Sequence, residues 1–334
     1  MTDKFKLKTL IFFTLFYVST TSGQNIFISV DSLSGQSSTF LSDKIVIGEI
    51  HDVIGSYTAY ENIVKSLDIQ KSYKLIIERG LSFSYLINEY LTGSDTSIID
   101  KINFESEPEK IFYMTIYSIN KKLADNNKIT TIGIDLEYQF KFAQTLTAIE
   151  YYLPKTHFQI SSQQLTQISA DSVKSIRTKV QDIFSLIDTT KFENKKYDNI
   201  VKNILSNFTN TIKISGSSNF TWGRQREKYL LKNFTNRVTD IKYFCFIIGV
   251  AHLPDNFLYP AFTRQLSKQT TKDFKYFYPI YFNHVSHNYI DKKYYCEQSH
   301  DPLKSHKILF NYFDNKKGSW LMTDKDINYL ITSN

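Results

Sequence analysis

Four apolar runs, each ending in an acid or a histidine, constrain the fold of this chain more than any other feature. They read KIVIGEIH (Lys44 to His51), KLIIER (Lys74 to Arg79), TTIGIDLEY (Thr130 to Tyr138) and FCFIIGVAH (Phe244 to His252). Each is short and rich in β-branched and aromatic residues, the composition of a strand buried on both faces. Helical periodicities separate them, such as Tyr57, Tyr60, Ile63, Val64 and Leu67 after the first run. Phe83, Leu86, Ile87, Tyr90 and Leu91 form the corresponding stripe after the second. This alternation predicts an α/β fold, a central and mostly parallel sheet flanked by helices. Parallel strands open their C-terminal ends to one side, where ligands bind in open α/β folds. Glu49, His51, Glu78, Asp135 and His252 are therefore expected around one crevice.

The rest of the chain is read against those strands. Helices are expected over 109–124, with Asp125-Asn126-Asn127 as its turn, and over 140–152, stopped by Pro154. Residues 155–215 are polar, contain no strand-like run and keep two helical stripes, Leu165 to Ile187 and Ile200 to Phe208. They read as a helical hairpin inserted into the α/β domain, either a lid over the crevice or a helical layer remote from any ligand. A turn-rich link at Gly216 to Gly223 precedes a helix over 225–237. An edge strand is expected at Ile26 to Val30. The aromatic stretches Tyr276 to Phe282 and Ile308 to Phe313 read as further strands.

The first 23 residues have the pattern of a cleavable signal peptide. Lys4, Lys6 and Lys8 precede an apolar run, Thr9 to Ser19, and small polar residues follow up to Gly23. That run is too short to span a bilayer, and no later run approaches the roughly 20 residues a membrane helix needs. The expectation is one domain over 24–334, secreted or periplasmic, with no integral membrane segment after cleavage. A formal charge of +7 is dispersed along the chain without a basic block or a nucleic-acid motif, so no nucleic-acid partner is expected. The two cysteines, Cys245 and Cys296, form no CxxC pair, which excludes the common cysteine-based zinc sites. Three Asn-Phe-Thr sequons stand at Asn207, Asn219 and Asn233.

The polar strand ends suggest two chemistries. Glu49 and His51 share a face if the first strand stays extended, and a carboxylate beside an imidazole suits a general base acting on water. Glu78 adds a carboxylate and His252 a second imidazole, giving metal-free hydrolysis of a small-molecule substrate. The same N and O donors (Glu49, His51 and His252) suit a metal ion instead. Glu78 can equally pair with the adjacent Arg79, and Asp135 can cap the next helix. Glu137 lies two residues beyond Asp135, and the sequence leaves open which of them faces the crevice. Arg226, between Arg224 and Glu227, can bind an anionic group or pair with a carboxylate. His284, His287, His300 and His306 in the tail have no metal-site spacing. No phosphate loop, GxSxG elbow or HExxH motif is present.

The same residues carry a resemblance to a superfamily of erythromycin esterase-like hydrolases, ChaN-type haem-binding proteins and Tiki/TraB-type proteins. Its features are GEIH (Gly48 to His51), the Glu of IIER (Glu78), INEYLTG (Ile87 to Gly93), GIDLEY (Gly133 to Tyr138), RQREKYLLKNF (Arg224 to Phe234) and GVAH (Gly249 to His252), in that order. The resemblance implies an α/β fold with these residues at one end of the sheet. In the esterase branch it implies that His51 is the base, supported by Glu49, Glu78 and His252, with no cofactor required. Asp135 and Arg226 then line the substrate site. One departure stands out: Ile50 alone separates Glu49 from His51, a spacing more like the haem-binding and Tiki-type branches. Those branches imply haem or a divalent metal, and in the Tiki-type branch metal-dependent peptide cleavage. The leading expectation is a hydrolase, with a ChaN-like haem- or metal-binding protein and a Tiki-like peptidase as alternatives.

Overall fold

The computed structural model describes residues 26–30, 43–50, 55–68, 71–137, 142–153, 187, 195–214, 219–238, 240–253, 262, 274–282, 294–296, 303, 307–324 and 327–333. The leader, His51, Asp52, the first stripe of the insertion apart from Ile187, and the tail histidines lie outside these residues. The fold is α/β, and the chain divides into two compact units. One combines residues 1–68 with 274–334, and the other is continuous over 69–273.

The first unit contains β1 (Ile26–Ser29), β2 (Lys44–Glu49), α1 (Gly55–Ser66), and, from the far end of the chain, β6 (Phe274–Phe282), β7 (Tyr294–Cys296), α7 (Lys307–Asp314), β8 (Gly318–Asp324) and β9 (Ile327–Ser333). Parallel pairing joins β2 to β6 and β6 to β9, and antiparallel pairing joins β9 to β8 and β8 to β1. Strand β7 pairs antiparallel with β6. Helix α1 packs on β9, and Asn62 donates to Ser319 Oγ at 2.9 Å.

The second unit contains β3 (Lys74–Ile77), α2 (Leu81–Thr92), α3 (Glu107–Asn120), β4 (Thr130–Gly133), α4 (Phe142–Tyr152), α5 (Lys196–Ile214), α6 (Asn219–Val238) and β5 (Phe244–Gly249). Strand β3 lies between β5 and β4, and both pairings are parallel. Every residue of β5 is buried, as expected of a parallel strand covered on both faces. Thus each of the four apolar runs forms a strand that starts at its first residue and stops short of its last.

Helix boundaries follow local chemistry. Helix α2 ends at Gly93, whose left-handed φ of 80° lets its N–H reach Tyr90 O at 2.9 Å. Helix α3 starts earlier than expected because Ser106 caps it, accepting from Glu109 N at 3.3 Å, with Pro108 in the first turn. It ends earlier too. The Asn120 side chain turns back to bond Leu91 O, Ile129 O and Ile129 N, and a 3-10 turn at Asp125–Asn127 follows.

The structure corrects two sequence readings. Ile308 to Phe313 is not a strand but part of α7, which sets Phe310 and Phe313 against Phe282 and Phe313 against Trp320. The expected link up to Gly223 is already helical from Asn219. The stripe Ile200, Val201, Ile204, Leu205 and Phe208 forms the buried face of α5 as read.

Candidate functional site

Within the second unit, β3, β4 and β5 deliver their terminal polar residues to one place because they run parallel in register. The β3–β4 ladder continues past both strands through Ile134 N to Ile77 O (3.2 Å) and Asp135 N to Arg79 O (3.0 Å). That extension sets Asp135 beside the end of β3. Glu78, directly after β3, is tied to β5 by the Gly249 N–H, which donates to its Oε2 at 2.7 Å. His252 closes a single 3-10 turn (Val250–His252) after β5.

Helix α6 lays Arg226 and Glu227 across these ends. Arg226 grips Asp135 with a fork, Nε to Oδ1 at 3.0 Å and Nη2 to Oδ2 at 2.6 Å, and reaches Glu78 Oε1 with Nη2 at 2.5 Å. His252 Nε2 lies 3.4 Å from Glu78 Oε1, and its Nδ1 lies 3.0 Å from Glu227 Oε1. The second contact is an ion pair whose N–H is poorly aligned for a hydrogen bond. The result is a ring of alternating charge, Arg226, Glu78, His252 and Glu227, closed by the adjacency of Glu227 and Arg226 on the helix, with Asp135 attached at Arg226. Side-chain exposure is 12% for Arg226 and at most 4% for the other four.

The ring sets the protonation of His252. Burial alone would push the imidazole pKa down, but the Glu78 carboxylate and the contact with Glu227 override burial and hold it up at about 10. His252 is thus a cation at neutral pH, able to donate from either ring nitrogen and unable to accept a proton. Neutral imidazole is the metal-binding form. Here both of its nitrogens already face carboxylates, and among the described residues no three His, Cys, Asp or Glu side chains are arranged to hold a metal ion.

Glu137, the second acid of GIDLEY, turns away from the ring. It is buried and accepts from Ser82 N (3.1 Å), Ser82 Oγ, Thr145 Oγ1 (3.0 Å) and Asn207 Nδ2 (3.3 Å). Burial raises its pKa, and these donors oppose the rise. Helix α2 has Gly80 at its N-cap, which offers no side-chain acceptor, and Glu137 supplies the missing carboxylate from a distant segment. The absent side chain is itself required: a Cβ on Gly80 would lie 2.6 Å from Glu137 Oε2. Asn207 and Asn233 hold the same turn, donating to Asp135 O (2.8 Å) and Ile134 O (2.9 Å). Both asparagines belong to sequons, yet their amides are spent on this turn, and Asn207 is buried.

The structure thus brings together Glu78, Asp135, Arg226 and His252. Glu49 ends β2, half-buried in the first unit, where it acts on the buried Tyr60 and Tyr281; burial first, then neighbouring charge, pushes both hydroxyls up. His51 lies outside the described residues. Arg79 does not pair with Glu78. It points to Glu105 and to the buried Glu109, the latter at 2.5 Å. The sequence reading did not place Glu227 in the site. Its signal was the α6 face that carries Arg226, Glu227, Leu230, Asn233 and Phe234 inward.

No family model matches the chain, and no curated protein matches it by sequence. Solved structures do share its fold. A succinoglycan biosynthesis protein superposes with a TM-score of 0.50 at 13% identity, over 76% of this chain and 68% of its own. A protein from Bacillus cereus also gives 0.50, at 14% identity over 92% of both chains. A mutant erythromycin esterase in its open conformation gives 0.46 at 11% identity, over 87% of this chain and 90% of its own. The first two establish a common α/β fold, and the esterase is a more distant likeness. Among the described residues no helix is long and apolar enough to cross a membrane.

Proposed function

We propose that the chain is a hydrolase acting on an ester or amide bond of a small molecule. The observation that carries this reading is the cationic His252, held between Glu78 and Glu227 at the C-terminal ends of parallel strands. Its Nε2 lies 3.4 Å from Glu78 Oε1, longer than a firm hydrogen bond, so this donor can be handed to a substrate carbonyl. A charged donor fixed in a buried setting stabilises the oxyanion of acyl transfer without reorganising. Arg226 and Asp135 form the wall beside it. The GEIH, IIER and GVAH motifs support the same reading through their resemblance to esterase-like hydrolases, which assigns the base to His51 with Glu49 behind it.

Turnover of a panel of chromogenic esters and amides by the purified protein tests the reading. His252→Gln is expected to lower kcat by about 100-fold or more with KM little changed, as for loss of an oxyanion donor. His51→Ala and Glu49→Gln report on the assigned base. Wild-type protein without turnover would refute the hydrolase reading, and His252→Gln with unchanged kcat would remove the oxyanion role given to His252.

A further inference from the structure

Glu227 keeps an acceptor open inside the ring. Its Oε1 faces His252, whereas Oε2, on a side chain 3% exposed, has no hydrogen-bond donor among the described residues. A buried carboxylate oxygen without a donor is costly, and a bound water is its ordinary partner. The other two carboxylates are committed. Asp135 carries the Arg226 fork, and Glu78 holds Arg226 and the Gly249 N–H. Both ring nitrogens of His252 already face carboxylates, Nε2 toward Glu78 Oε1 at 3.4 Å and Nδ1 toward Glu227 Oε1 at 3.0 Å.

We propose that Glu227 Oε2 seats the hydrolytic water and acts as its general base. The inference rests on the hydrolase reading and differs from it in moving the base from His51 to Glu227. In the step, a water O–H bond breaks and its proton passes to Oε2. The water oxygen bonds to the carbonyl carbon, and the carbonyl π pair moves to oxygen, next to His252 Nε2–H. Collapse re-forms the C=O bond and breaks the bond to the leaving alcohol or amine, which takes the proton back from Oε2. One water is consumed, and Glu227 ends as a carboxylate.

The test compares Glu227→Gln, Glu227→Asp and Glu227→Ala with His51→Ala on a substrate the wild type turns over. Glu227→Gln is expected to lose 10²- to 10⁴-fold in kcat with KM within a few-fold, the usual contribution of a general base. Glu227→Asp should retain part of the rate, and added formate should restore turnover to Glu227→Ala. A wild-type rate in Glu227→Gln overturns the assignment. So does a loss in Glu227→Gln without formate rescue of Glu227→Ala, which leaves Glu227 only positioning His252. If Glu227→Ala does not fold, Glu227→Gln, which preserves shape, decides by its kcat. Wild-type protein with no turnover refutes the hydrolase reading itself, a result distinct from these.

Discussion

An imidazole between two carboxylates has its charge fixed by its neighbours, so His252 ties the chemistry of the site to its stability. Burial disfavours the cation, yet the charge on Glu78 and the Glu227 contact hold the pKa at about 10, above the ordinary 6.5. A raised folded-state value means that the cation stabilises the fold fully below the unfolded value and that the contribution fades as pH rises through 10. Stability measured by urea unfolding should therefore fall between about pH 6.5 and 10, by on the order of a few kcal/mol. NMR titration of the imidazole should show it protonated throughout the neutral range, and Glu227→Gln should lower its midpoint. A midpoint near 6.5 in the wild type would mean that the ring does not hold His252 as described. Breaking one partner of such a ring is expensive although the whole ring need not add net stability, because the surviving charge remains buried.

At the scale of elements, two glycines set how closely the strand ends can meet. Gly133 ends β4 where a Cβ would lie 2.5 Å from Gly80 O and 2.7 Å from Arg79 O. Those are backbone atoms and cannot swing aside. At Gly80 the obstacle is the Glu137 carboxylate, a side chain locked by four donors. Both substitutions to alanine are overpacking, which costs about 1–3 kcal/mol. The loss should be larger for Gly133→Ala, since backbone must move there. Denaturant midpoints of the two variants check the order, and equal stability with wild type would contradict the close approach. The INEYLTG segment has a related task. Asn88 donates to Thr131 O (2.9 Å) and accepts from Thr131 N (2.7 Å), so a side-chain amide takes the place of a neighbouring strand beside β4.

For the molecule as a whole, the sequence revealed what buried strands make conspicuous. A polar residue closing an apolar run is visible because the run is otherwise uninterrupted, as at Glu78, Asp135 and His252. Glu227, Asn207 and Asn233 lie on long polar helices where many residues look alike, and only packing selects the inward face. Ile308 to Phe313 reads as a strand because five of its six residues, all but Asn311, are aromatic or aliphatic, a pattern that satisfies both the strand and the helix period. Strands β8 and β9 were not picked out at all, although β9 is paired on both sides, with β6 in parallel and with β8 antiparallel. Leu330 and Ile331 are fully buried there. The first unit thus depends on β9, which is paired along both of its edges. Removing residues 327–334 should leave β6 and β8 each with an unpaired edge, and edges of that kind promote aggregation. The expected outcome is insoluble protein on expression. The milder Ile331→Ala should stay soluble and lose about 2–5 kcal/mol, read from its urea midpoint. A soluble truncated chain with wild-type circular dichroism would show that β9 does not occupy this central position.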